Sequence, residues 1–129
     1  MKMKVESCKP HVAFMSCIPD DERSLESNLR QTGLKFVKGL GCYQGVQENS
    51  YMIVLSTEMH VATSKLNQVM RLGRMYGQES ILYCDPDRTS YLMYCDESSA
   101  PKLGTLKAVG LIPDGDDWSF FGGSYWQIK

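Results

Sequence analysis

Gly41-Cys42-Tyr43-Gln44-Gly45-Val46-Gln47-Glu48-Asn49-Ser50-Tyr51-Met52-Ile53-Val54-Leu55 is the stretch on which the fold turns. Its first half is polar and punctuated by glycines, which suit tight or unusual backbone geometry at Gly41 and Gly45. Its second half, from Tyr51 to Leu55, is an apolar, β-branched run that predicts a core strand buried on both faces. Glu48 stands just upstream, at the entrance to that strand. Tyr76-Gly77-Gln78-Glu79-Ser80 repeats the arrangement, placing an amide and an acid before the apolar Ile81-Leu82-Tyr83-Cys84. Both stretches suit ordinary turns, and both suit a ligand site built at strand mouths.

Working outward, His11–Cys17 reads as a first strand bracketed by Pro10 and Pro19. Asp20 or Asp21 is a candidate N-cap for a helix to about Thr32, with Leu25 and Leu29 as its inward stripe and Gly33 as its C-cap. Leu34–Lys38 reads as a strand or irregular edge, and Gly39–Ser50 as a loop. Ser56 or Thr57 starts a second helix, in which Ala62, Leu66, Val69, Met70 and Gly73 recur at helical spacing. Glu79–Cys84 and Ser90–Cys95 predict a hairpin across the turn residues Asp85-Pro86-Asp87-Arg88-Thr89. A short strand follows around Thr105–Val109, then a turn at 113–117. A last strand or hairpin spans Trp118–Ile128. The order β-α-β-β-α-β with extra strands predicts an α+β domain, with an antiparallel sheet covered by helices on one face. Trp118, Phe120, Phe121, Tyr125 and Trp126 are then available to fold back over the other face, and self-association is the alternative cover.

At 129 residues the chain, 1–129, reads as one domain. Its net charge of −1 offers no electrostatic basis for wrapping nucleic acid. No segment approaches a membrane span, and the N-terminal lysines lack an apolar block, so the expectation is a cytoplasmic protein without signal peptide or membrane partner. The five cysteines are widely spaced and lie mostly in apolar runs, which predicts small buried side chains instead of a disulfide framework. His11 and His60 are isolated, so no zinc site is expected. The aspartates at 85, 87, 114, 116 and 117 do not match a calcium loop. No cofactor is expected.

Nucleophilic hydrolysis lacks a local signature, and the glycines at 39–45 have neither a phosphate-loop lysine nor a dinucleotide fingerprint. Glu48 is the exception. Tyr43, Gln44, Gln47 and Tyr51 surround it with groups able to orient a carboxylate, which suits a tuned base or an anchor for a cationic ligand. Gln78 can both donate and accept, as recognition of an amino-acid moiety or an adenine edge requires.

These features resemble the phage-encoded S-adenosylmethionine lyases, also called SAM hydrolases. The resemblance rests on Gly41-Cys42-Tyr43-Gln44 with an acid downstream, on Leu66-Asn67-x-x-Met70-Arg71-Leu72, and on Tyr76-Gly77-Gln78-Glu79-Ser80-Ile81-Leu82-Tyr83. It extends to the hairpin ending near Tyr94, to Val109-Gly110-Leu111-Ile112-Pro113 and to Trp126-Gln127. It implies a ferredoxin-like chain in a PII-like homotrimer with sites between subunits. It also implies cleavage of S-adenosylmethionine to methylthioadenosine and homoserine lactone, countering host restriction from within the host cytoplasm. By the same resemblance Glu48 is the candidate catalytic anchor, with Tyr43 orienting it, and Glu79 is the alternative anchor. Gln78, Tyr51 and Tyr76 are candidate substrate contacts. A non-catalytic PII-like ligand-binding module and a phage interaction protein are the other readings.

Overall fold

The computed structural model describes residues 9–109, 115 and 117–129. The Gly110–Pro113 part of the resemblance, most of the turn at 113–117, Cys8, Asp114 and Asp116 lie outside those residues. Among them, the chain forms β1 (His11–Ser16), a short 3-10 turn (Pro19–Asp21), α1 (Glu22–Gln31), β2 (Lys35–Tyr43) and β3 (Val46–Ser56). There follow α2 (Met59–Met75), β4 (Ser80–Cys84), β5 (Thr89–Tyr94), β6 (Lys102–Val109), β7 (Trp118–Phe121) and β8 (Ser124–Ile128). Every described strand pairing is antiparallel.

The expected element order is present over 11–84, but the chain does not have the ferredoxin-like, PII-like α+β fold. The sheet does not stop at four strands. β7 pairs with β2, β8 bridges β7 to β6, and β6 pairs with β5, so the strands run β1-β3-β2-β7-β8-β6-β5-β4 in a closed barrel. The physical reason is at the edges. An open sheet would leave the backbone donors and acceptors of β2 and β5 unpaired. The C-terminal strands pair them instead of lying across the sheet as a cover.

Gly39–Ser50 is likewise strand and not loop. β2 and β3 form one long hairpin whose two-residue turn is Gln44-Gly45, with φ of 52° and 81°. Two successive positive φ values define the turn that matches the strand twist. The polar residues that suggested a loop are strand positions near the barrel's end.

Alternation along the strands divides the core in two. Ala13, Met15, Tyr51, Ile53, Leu55 and Ile81 point outward to meet Leu25 and Leu29 of α1 and Ala62, Val69 and Met70 of α2. Val12, Phe14, Leu82, Cys84, Leu106 and Phe121 point into the lumen, where Met52, Trp126 and Ile128 join them. The Tyr51–Leu55 run is thus sealed on its odd face and half-buried on its even face. The late aromatics also divide. Phe121 and Trp126 fill the lumen, while Phe120 and Tyr125 pack together on the opposite side of the sheet.

Local rules hold at the C-terminal ends of the helices, but at the N-terminal ends no N-cap side chain makes a capping bond, and Glu58 is the N-cap of α2 where Ser56 or Thr57 was expected. Gly33 takes φ 75°, and Gly33 N–H and Leu34 N–H donate to Arg30 and Leu29 carbonyls, a Schellman C-cap. Ser56 Oγ accepts from Glu58 N–H at the start of α2. Neither Asp20 nor Asp21 caps through its side chain; the 3-10 turn begun by Pro19 leads into α1 without that bond. The expected turn between β4 and β5 forms, with Asp85 Oδ1 accepting from Asp87 and Thr89 N–H. No described helix is long and apolar enough to cross a membrane.

Leu29 is completely enclosed between α1 and the sheet. Leu29→Ala should lower the unfolding free energy by about 2–5 kcal/mol through lost burial and the cavity it leaves. The exposed Arg30→Ala beside it should cost less than about 1 kcal/mol. Urea denaturation of the two variants checks the difference.

Candidate functional site

The lumen is filled at one end only. At the other it opens into a cavity of about 620 Å³, walled by the ends of β1–β5 and the C-terminal strands. Tyr43, Glu48, Gln78 and Glu79 all line it. Glu48 and Glu79, distant in the chain, thus meet at one mouth, because β1 pairs antiparallel with both β3 and β4 and so sets the starts of those two strands at the same end of the barrel.

Glu48 sits on β3 directly opposite Gly41 of β2. Without a side chain at Gly41, the Tyr43 ring lies down along the strand; a Cβ there would stand 3.3 Å from Tyr43 Cε2 and 3.3 Å from Ser50 Cβ. Forty per cent of Tyr43 is exposed, but its phenol oxygen is enclosed and bonded to Ser119. Burial pushes that phenol above its ordinary pKa, the Ser119 hydrogen bond opposes the rise, and the charges of Glu48 and Asp117 add to it. Tyr43 is therefore a neutral hydrogen-bonding group at physiological pH. Ser16 Oγ donates to Glu48 Oε1 at 2.7 Å. Asp117 Oδ1 accepts from Gln44 N–H at 2.8 Å, fastening the β2–β3 turn to the start of β7.

Gln78 and Glu79 are delivered by a second Schellman cap. Gly77 takes φ 72°, Gly77 N–H donates to Arg74 O, and Gln78 N–H donates to Gly73 O. Gly73 lets this end of α2 approach closely, since a Cβ there would lie 2.7 Å from Cys95 Sγ. The Glu79 carbonyl then accepts from Cys95 N–H, tying the segment to the end of β5.

Tyr51 and Tyr76 do not line this cavity. The Tyr51 ring is buried on the outer side of the sheet, and its hydroxyl donates to Glu26 at 2.7 Å. Tyr76 joins the two helices, its oxygen lying 2.6 Å from both Ser24 Oγ and Asn28 Nδ2. Among the lining residues that escaped the sequence reading of the site are Ser16, Trp126 and Asp117. Alternation with Val12 and Phe14 marks Ser16 as inward-facing, but nothing local pairs it with Glu48. Asp117 reads as part of an acidic turn until the hairpin tip is brought against it.

The lining carries Glu48, Glu79 and Asp117 and no lysine, arginine or histidine among the described residues. Such a mouth attracts cations and repels anions, with an attraction that salt screens because Glu48, Glu79 and Asp117 are all exposed at its rim. Trp118, Trp126, Tyr94 and Tyr43 add aromatic surface for a planar or cationic group. No three His, Cys, Asp or Glu side chains are grouped for a metal among the described residues. His11 is spent on Tyr83, with Nδ1 2.6 Å from the hydroxyl. Burial raises the thiols of Cys17 and Cys84 to about 11, so neither is a ready nucleophile.

An eight-stranded barrel with one open, acidic end is an architecture that suits a small cationic ligand. A model of the S-adenosylmethionine lyase family matches residues 20–129, and the chain belongs to that family. No curated protein matches the chain.

Behind the site, Glu22 accepts from Lys38 Nζ at 2.7 Å and from Asn49 Nδ2 at 2.8 Å, the residue after Glu48. The Lys38 and Asn49 hydrogen bonds hold the Glu22 carboxyl below its ordinary value of 4.5, and the Tyr51 hydroxyl and Lys38 do the same for Glu26. Both groups are depressed, so the stability they contribute is present above the ordinary carboxylate range and disappears as pH falls through their lowered folded values. Glu22→Gln should flatten the acid side of the melting-temperature profile, as thermal scans across that range will show.

Proposed function

We propose that the chain is an S-adenosylmethionine lyase that forms methylthioadenosine and homoserine lactone. The observation that carries this reading is the charge of the cavity: three carboxylates and no described basic side chain, in a chain of this family. S-adenosylmethionine carries a sulfonium and an ammonium against one carboxylate, so an acidic, aromatic-walled mouth suits it.

The chemistry needs little from the protein beyond geometry. The substrate's own carboxylate oxygen attacks Cγ. The Cγ–S bond breaks, its electron pair goes to sulfur, and a neutral thioether leaves. No water or external base enters the balance. Folding the methionine tail into the attack geometry is a proximity effect, for which effective molarities reach ~10⁵ M or more in well-oriented systems. In this reading Glu48 grips the ammonium, with one oxygen held by Ser16. Tyr43, near enough for the Glu48 charge to perturb it, shapes the wall beside that carboxylate. Gln78 binds the tail from the opposite lip, and Glu79 is the second acid within reach of a cation.

The mouth also bears exposed apolar side chains. Tyr43 and Leu103 line it, and Val46 pairs with Tyr43 on the hairpin tip. We read them as the contact through which subunits of a homotrimer close each other's sites. Depletion of the methyl donor in a phage-infected cell's cytoplasm, and with it escape from methyl-dependent restriction, is the biological role that fits this activity.

Purified protein incubated with S-adenosylmethionine should release methylthioadenosine, followed by chromatography, and should elute as a trimer by light scattering. Glu48→Gln should lower kcat/KM by on the order of 100-fold or more, because it removes a charge-assisted contact. Tyr43→Phe should cost about tenfold. Saturable binding without product would make the chain a ligand-binding module. Neither binding nor product would point to an interaction protein.

A further inference from the structure

Glu48 extends past the end of β1. Inside the barrel, Phe14 lies opposite Met52 and Ser16 lies opposite Ser50. The next inward position along β3 is Glu48, one step beyond the last β1 residue paired with β3. On its other side stands Gly41, which has no side chain to offer. A carboxylate in that position has freedom to swing between the cavity and bulk solvent. One side chain restrains it: Ser16, only 6% exposed, whose Oγ donates to Oε1 at 2.7 Å. Ser50, the other inward hydroxyl of the pair, turns away and donates to the Met15 carbonyl.

We propose that Ser16 is the positioning residue for the Glu48 carboxylate. It fixes Oε1 and turns Oε2 toward the cavity, where a ligand ammonium is held. The inference rests on the lyase reading for the identity of the ligand, but its geometry is independent of turnover. Ser16 also stands before the family match, which begins at residue 20; β1 thus contributes to the site from outside the matched residues. The hydroxyl does no bond-making. It limits the rotamers of a carboxylate that would otherwise lose entropy on binding.

The test is a double-mutant cycle read by calorimetric affinity. The probe is a non-cleavable S-adenosylmethionine analogue bearing an amine-substituted carbon in place of the sulfonium. Ser16→Ala should raise Kd about tenfold, the range for a lost hydrogen bond to a charged group. Ser16→Thr, which keeps the hydroxyl, should stay within about twofold of the parent. In a Glu48→Gln background, Ser16→Ala should change Kd by less than about twofold, because the charge it orients is gone. Melting temperatures confirm that each variant is folded. Equal losses in both backgrounds would overturn the proposal in favour of a purely structural serine, as would an unchanged Kd for Ser16→Ala in the parent. If the parent binds the probe but releases no methylthioadenosine from S-adenosylmethionine, the lyase reading fails and the cycle still decides the role of Ser16. If the parent does not bind the probe, both fall.

Discussion

The constraint on which this structure depends is closure of the sheet. Once β7 pairs with β2 and β6 with β5, no described strand is left as an open edge, and a ring of eight encloses a lumen just wide enough for packed side chains or one small ligand. The chain uses both options. Val12, Cys84 and Phe121 pack the closed part, and Phe14, Leu82 and Trp126 form the apolar floor of the cavity above them. The open part is walled by polar and acidic groups on the same inward-facing rows. Gly39 shows how tightly closure is made: a Cβ there would stand 2.3 Å from the Phe120 carbonyl and 2.6 Å from the Phe121 ring. At this position β2 and β7 pack so closely only because β2 carries no side chain there.

Stability and site are divided between the two sides of the same strands. The outward rows of β1, β3 and β4 bury Leu25, Leu29 and Val69 of the helices, and this packing anchors the sheet. The inward rows are then free to carry Ser16, Glu48 and Ser80 at the mouth. α1 reinforces the division. Its acids Glu22 and Glu26 engage Asn49 and Tyr51, the neighbours of the inward Glu48 and Ser50, from the outer face. α2 contributes through its end, where Gly73 and Gly77 set Gln78 against the barrel.

The helices, the β4–β5 hairpin and the order of the first six elements were legible because each depends on local chemistry. Leu25 and Leu29 show the helix stripe, Gly33 its end, and Asp85-Pro86-Asp87 the turn. Closure was not legible. It depends on pairing Cys42 with Trp118 and Lys107 with Gln127, partners that no local pattern joins. The hairpin at 35–56 was hidden by its chemistry, since inward positions near an open mouth are polar or glycine and break the alternation that marks a strand. Tyr43, Glu48, Gln78 and Glu79, named from the sequence, do line one cavity. Tyr51 and Tyr76 were offered as aromatic faces for the ligand, but strand alternation and the α2 cap turn them away. Ser16 and Asp117 were missed because their partners are distant in the chain.

The central claim is that the open end of the barrel selects positive charge. Calorimetry with two ligands of similar shape tests it most directly: the amine-bearing analogue of S-adenosylmethionine, and S-adenosylhomocysteine, whose thioether is neutral. The cationic ligand should bind the parent protein at least about tenfold more tightly at low salt, with the advantage shrinking as salt is added. Equal affinities, insensitive to salt, would contradict it.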